Sequence, residues 1–262
     1  IACTDHGVMY GCVQFYKAAK KAGIKPIIGC EVYVATRTRF DKVNKIDGNN
    51  HLILLCKNET GYKNLIKMVS DGFVEGFYSK PRVDKQILSQ SHEGLICLSA
   101  CRENYYIELQ DHGLKADSTV LPQLIKLSRE TGIPMAATND AHYLRKEDAK
   151  MQSILLCIQT GKTIQDADRM EFQTDEFYVK TTDEMYELFS MVPEACANTA
   201  KIAEQCNFDF EFGHTKIPYY KAPDGMDNQA YFEKLCWDGL ERRYGPDAPQ
   251  ANIDRLKYEI GV

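Results

Sequence analysis

The sequence predicts an α/β fold: a parallel sheet, either open or closed into a barrel, with helices between its strands and a mostly helical segment after it. Three observations carry this. Strand-like and helix-like runs alternate over the first 160 residues, the pattern of parallel strands joined by helical crossovers. The strand-like runs are short, rich in Ile, Val, Leu and Tyr, and lack clean polar alternation, as strands covered on both faces do. Beyond about residue 161 the strand-like runs stop and helical ones take over.

The elements follow in order. Residues 1–4 form the first strand. A helix over 7–22 carries Lys17, Lys20 and Lys21 toward its end, where they oppose the helix dipole, with Gly23 just beyond. Strands at 26–35 and 51–57 precede a helix at 60–71. Strands at 95–100 and 105–110 precede a helix at 117–131, closed by Gly132, and a strand at 133–138. Thr182-Asp183-Glu184 reads as a capped helix start, and Pro193 as the first turn of a helix running to about Cys206. Residues 207–224 are irregular and aromatic, and helices over 228–244 and 252–260 end the chain. The expected division is an α/β domain over 1–170, which the resemblance described below makes a barrel, and a helical part over 171–262.

With 262 residues the chain has room for one large domain or two modest ones. Hydrophobic residues at 44% and charged residues at 26% exclude a disordered chain. Lys plus Arg number 32 against 37 Asp plus Glu, a net charge of −5. Any DNA contact therefore needs a local basic patch. The longest uninterrupted apolar runs, such as 52–56 and 154–158, fall far below the ~20 residues of a membrane span, so no membrane partner is expected. None of the ten cysteines forms a C-x-x-C pair, and Cys56, Cys97 and Cys157 sit inside apolar runs. Buried thiols in a reducing cytoplasm fit this better than disulfides. The chain opens on Ile1 with no signal-peptide pattern and closes on a helix-like stretch, and it reads as a piece of a longer protein. P-loop, G-x-G-x-x-G, G-x-S-x-G and H-E-x-x-H patterns are absent, which disfavours nucleotide-cofactor and serine-hydrolase chemistry.

Polar groups gather at the strand ends. Asp5 and His6 follow the first strand, Glu31 lies in the second, Cys101 follows 95–100, and Asp140 and His142 follow 133–138. In α/β sheets and barrels the C-terminal strand ends converge on one face, where sites are built. His, Cys, Asp and Glu there are ligands for zinc, or for manganese at oxygen-rich sites. Each also has a plain reading: a capping turn at Thr4-Asp5-His6-Gly7, an edge carboxylate at Glu31, a small buried hydrophobe at Cys101. Asp140-x-His142 is the better pair, since alternate residues of an extended segment point the same way. His51 is ambiguous because it precedes its strand. His92 and His214 read as surface residues. From the residues alone, the reading is a metal-dependent hydrolase on an α/β scaffold.

The motifs themselves are familiar. Thr4-Asp5-His6-Gly7 with Met9-Tyr10-Gly11, Gly29-Cys30-Glu31-Val32-Tyr33-Val34, His51-Leu52-Ile53-Leu54-Leu55-Cys56, Ile107-Glu108-Leu109-Gln110-Asp111-His112-Gly113, Asn139-Asp140-Ala141-His142 and Leu156-Cys157-Ile158-Gln159-Thr160-Gly161 resemble, in order and over essentially the whole chain, the PHP (polymerase and histidinol phosphatase) family as it occurs in bacterial C-family replicative polymerases, the DNA polymerase III alpha subunits. The resemblance implies a distorted (β/α)7-type barrel with divalent metal, zinc or manganese, at its mouth. It puts the metal ligands on His6, Glu31, His51, Cys101, Asp140 and His142, and no general base can be picked. Gly239-Leu240-Glu241-Arg242-Arg243-Tyr244-Gly245 resembles the lead-in to the polymerase palm.

The sequence departs from the family pattern in three places. The family's first strand, with its His-x-His pair, is absent upstream of Ile1, so the barrel is expected to be incomplete. The palm carboxylates that hold magnesium for polymerisation would lie outside this chain, so primer extension is not expected of it. Cys101 also runs almost directly into the strand at Tyr105, so either a segment is missing or those strands are not parallel neighbours. The implied function is a metal-dependent phosphoesterase, a 3′–5′ proofreading exonuclease, within a DNA-synthesising subunit. Its partners would be primer-template DNA, other replicase subunits and a proofreading exonuclease in the cytoplasm. The alternatives are a non-catalytic module that docks a proofreading partner, and a stand-alone PHP phosphatase, which the palm lead-in argues against.

Overall fold

The computed structural model describes residues 1–98, 104–215 and 217–262. They divide into two compact units, Ile1–Phe210 and Glu211–Val262. In the first unit the strands are β1 (Ala2–Cys3), β2 (Ile27–Ala35), β3 (Asn49–Cys56), β4 (Arg82–Val83), β5 (Leu95–Leu98), β6 (Tyr105–Leu109) and β7 (Met135–Ala137). The helices are α1 (Cys12–Lys21), α2 (Glu59–Val74), α3 (Lys85–Gln90), α4 (Asp117–Thr131), α5 (Ala149–Thr160), α6 (Thr182–Leu188) and α7 (Pro193–Gln205). The second unit carries α8 (Asn228–Tyr244) and α9 (Gln250–Ile260).

One sheet runs β1-β2-β3-β5-β6-β7, curled as a half-barrel, with β4 beside β2. The centre is β2, buried along nearly its full length. One edge pairs with β3 from Gly29 to Ala35; the other is shared by β1, at Ile27 and Ile28, and β4, at Tyr33 and Val34. The expectation of a parallel sheet needs one correction. β3 runs antiparallel to both β2 and β5, and every other pairing is parallel. The cause is the connection. No helix separates β2 from β3, only the loop 36–48, and a strand that returns without a crossover comes back reversed. β5 and β6 are parallel neighbours, with Cys97 against Tyr105 and Leu98 against Tyr106.

Helix ends are fixed by their own side chains. Asn58 accepts from the Gly61 amide at 3.0 Å and Asp84 from the Ile87 amide at 3.1 Å, capping α2 and α3. Thr181 and Glu184 form a capping box on α6, and Pro193 opens α7. α2 lies so close to the turn before β5 that a Cβ on Gly61 would sit 1.9 Å from the Gly94 carbonyl oxygen. The core has a cluster around β2, β3 and α2, including Leu54, Leu65, Met68 and Val83. A second joins β6 and β7 to Phe189, Val192 and Ala195 near α7.

The loop 36–48 is closed by a two-pronged ion pair. Arg37 donates through Nε and Nη2 to the carboxylate oxygens of Asp47, each at 2.7 Å, and the Val43 amide donates to Asp47 at 2.8 Å. The Arg37 hydrogen bonds hold the Asp47 carboxyl down to about 2, from an ordinary 3.8. A carboxyl depressed on folding stabilises the fold above its unfolded value and loses that contribution as pH falls toward the folded one. In Asp47→Asn, acid titration followed by circular dichroism should therefore show a deficit in stability at pH 5 that closes between pH ~4 and ~2. A deficit that stays constant across that window would remove the ion pair as its cause.

Candidate metal centre

The reversal of β3 gives His51 its place. With β1 and β2 pointing one way and β3 the other, the start of β3 lies level with the C-terminal end of β2, and His51 sits opposite Tyr33 in register. His6 arrives just past β1 and forms a parallel bridge with Glu31 on β2. Gly7 makes that approach possible. Its φ is +68°, its amide donates to the Glu31 carbonyl at 2.8 Å, and a Cβ there would sit 2.8 Å from the Tyr33 ring, so this is a position for glycine.

Glu31, 7% exposed, lies between two imidazoles. His6 Nδ1 is 3.0 Å from Oε2, and His51 Nδ1 contacts Oε1. Donor atoms of His6, Glu31 and His51 all lie within 4.8 Å of one another. His142 is adjacent, its ring stacked at 5.7 Å from that of His6, and its Nε2 is 3.3 Å from Asp140 Oδ1. All five line one cavity of about 1020 Å³. Cys101 lies outside the described residues.

The charges are arranged to match. The hydrogen bond to Glu31 raises the pKa of His6 against burial, which lowers it. Burial raises that of Asp140, but the bond to His142 and the nearby histidines outweigh it, and the carboxyl ends below its ordinary value. Two imidazoles converging on a buried carboxylate make a nitrogen and oxygen donor set suited to zinc or manganese. The residues present therefore fit a divalent ion. The route to Asp140 differs from the sequence expectation. The segment is not extended there: β7 ends at Ala137 and Asp140 has φ +44°. The two side chains still meet, brought together by a turn rather than by strand alternation.

A family model of the PHP domain matches residues 1–105, which span β1 to the start of β6 and hold His6, Glu31 and His51. Over its full length the chain is 43% identical to the DNA polymerase III subunit alpha of Borreliella burgdorferi and 41% identical to that of Treponema pallidum. Over 94% of its length it is 40% identical to that of Thermus aquaticus. The chain carries a PHP domain like that of DNA polymerase III subunit alpha. It spans about a quarter of the length of these relatives, 26%, 25% and 23%. The first of these alignments runs over 296 positions, so at least 34 of them carry no residue of this 262-residue chain. Among the described residues, the β5–β6 junction is where two parallel neighbours are linked by the fewest residues, 99–104, against the dozen or more a parallel connection ordinarily takes.

The PHP cavity also holds side chains that the sequence did not single out. Half-buried Glu108 on β6 accepts from Thr138 Oγ1 at 2.6 Å and from Gln110 Nε2 at 3.3 Å. Burial raises its pKa, against those two bonds. Lys180, its side chain 5% exposed, reaches Glu176 and the Asn139 side chain. Outside the cavity lining, Lys80 Nζ lies 5.3 Å from the Tyr33 ring, which packs edge-on against His51 at 5.1 Å. The available signal was the alternation of Glu108 and Gln110 on one strand face. Lys80 and Lys180 offered none.

Proposed function

We propose that this PHP domain is a metal-dependent phosphoesterase acting on DNA 3′ ends, a 3′–5′ exonuclease within a polymerase III alpha subunit. The observation that carries the reading is the convergence of His6, Glu31 and His51 beside Asp140 and His142 in one open cavity. These five, with Cys101, would hold the ion, zinc or manganese. A bound divalent ion supplies Lewis acidity, lowering the pKa of water and neutralising charge on a phosphoryl oxygen. Glu31 and Asp140 furnish the negative charge that holds it, and the histidines must be neutral to ligate, so binding releases protons. Lys80, over the Tyr33 ring that packs on His51, offers a cation to a phosphodiester, the local positive charge that a chain of net charge −5 needs. The barrel is assigned to 1–170 and the helical part to 171–262. DNA-directed synthesis, its magnesium, primer-template DNA, other replicase subunits and a cytoplasmic setting belong to the whole subunit. No described helix is long and apolar enough to cross a membrane.

A second reading, a docking module that uses metal only for its fold, draws on α5. Met151, Leu155 and Ile158, at helical spacing, are 61%, 53% and 72% exposed. A 3′-end-labelled mispaired primer separates the two readings. Protein loaded with manganese or zinc, its metal content verified, should release labelled mononucleotide, and a chelator should stop the release. An intact primer under those conditions decides for the docking module.

A further inference from the structure

The motif that runs through β6 to Gly113 supplies none of the six candidate ligands, yet two of its side chains reach the segment leading to Asp140. Glu108 Oε1 accepts from Thr138 Oγ1 at 2.6 Å, and the Thr138 amide donates to the Leu109 carbonyl at 2.9 Å. His112, 4% exposed and stacked on Phe177 with centroids 4.0 Å apart, donates from Nε2 to the Asn139 carbonyl at 3.0 Å. The two residues preceding Asp140 are thus tied to β6 and to its end.

Asp140 needs such ties. Its φ of +44° is uncommon for a residue with a side chain and persists only where the surroundings fix it. No regular element does so, since β7 stops at Ala137 and the next helical turn begins at Lys146. We propose that Glu108 and His112 are positioning residues that hold the turn at Asp140 and so aim the Asp140 and His142 side chains at the ion. This rests on reading His6, Glu31, His51, Asp140 and His142 as a metal group. The chemistry is that of outer-shell partners, whose loss typically weakens metal binding without touching the ligands.

Manganese and zinc binding by titration calorimetry, with the absorption spectrum of the cobalt form, tests this on the full chain. Glu108→Ala, Thr138→Val and His112→Phe, which keeps a ring to stack on Phe177, should each weaken binding roughly 10- to 100-fold and alter the cobalt spectrum. Glu108→Gln keeps a carbonyl acceptor for Thr138 and should bind close to wild type. Glu108→Ala with Thr138→Val should bind no more weakly than the worse single variant, since both remove one bond. Metal-free melting temperatures should stay near wild type. The proposal is overturned if Glu108→Ala binds metal normally, if Glu108→Gln is as weak as Glu108→Ala, or if affinity falls only in step with metal-free stability. Should Glu108→Ala not fold, Thr138→Val and His112→Phe decide by the same readings. A wild-type chain that binds no metal overturns the metal group itself, and the proposal with it; a wild type that binds while the variants bind equally well overturns the positioning role alone.

Discussion

Replacing Asp140 and His142 together by alanine is expected to abolish zinc or manganese binding, and with it any release of nucleotide from a primer end. Losing one outer-shell partner costs about 10- to 100-fold in affinity, so losing two inner donors should cost roughly 100-fold or more. The fold should tolerate the change. His142 and Asp140 are half-buried and exposed, and their mutual contact at 3.3 Å opens onto the cavity. Some stability is lost because alanine accepts a positive φ less readily than aspartate, a cost of about 1 kcal/mol, or ~2–4 °C in melting temperature. Calorimetry with each metal, beside circular dichroism of the helical content, reads both effects. Unchanged affinity in a folded double variant would remove these residues from the metal group.

Arg82→Leu should produce the largest loss of stability. Arg82 is fully buried on β4. Its Nη2 donates to the carbonyls of Asp41 at 2.7 Å and Arg39 at 3.3 Å, and its Nε to that of Gly76 at 3.2 Å. It therefore ties the loop 36–48 and the turn beyond α2 to the sheet. Leucine fills part of the volume but leaves three carbonyls without their donor, and the cost of such orphaned groups comes to about 3 kcal/mol. A fall in melting temperature of roughly 10 °C should follow. A variant melting within 2 °C of wild type would mean that water reaches those carbonyls, and that the guanidinium's own burial had offset its bonds.

Regular elements of ordinary length could be read in the chain. α4 and α8 run over the residues expected, and α7 begins at Pro193 as its proline implies. The residues that escaped have physical reasons to. β4 is two residues long and carries an arginine, which reads as a turn until the buried guanidinium is seen to donate to three backbone carbonyls. α3 is six residues, too short for periodicity to register. α5 contains the unbroken apolar run 154–158, which does not distinguish a helix from a strand. In the candidate site, His6, Asp140 and His142 stood just past strand ends and Glu31 within a strand beside them, where convergence is a matter of topology. His51 did not, because its position depends on the direction of β3, and that direction is set by the missing crossover. Glu108 and His112 act through hydrogen bonds to the segment after β7, a relation that no single strand displays.

The return of β3 on β2 also bears on the order in which the site assembles. Glu31 and His51 share one hairpin, closed by the thirteen residues 36–48, so their encounter is a local event with a small loop-closure entropy. His6 must wait for the β1–β2 connection, and Asp140 for a strand more than a hundred residues downstream. Contacts of short sequence separation form early and distant ones late. The hairpin with its carboxylate and one imidazole is thus the nucleus of the centre, and the β6–β7 end closes over it last. Amide hydrogen exchange should follow the same gradient, with the longest-lived protons between Gly29 and Leu55 and the shortest-lived at Ile107 to Ala137.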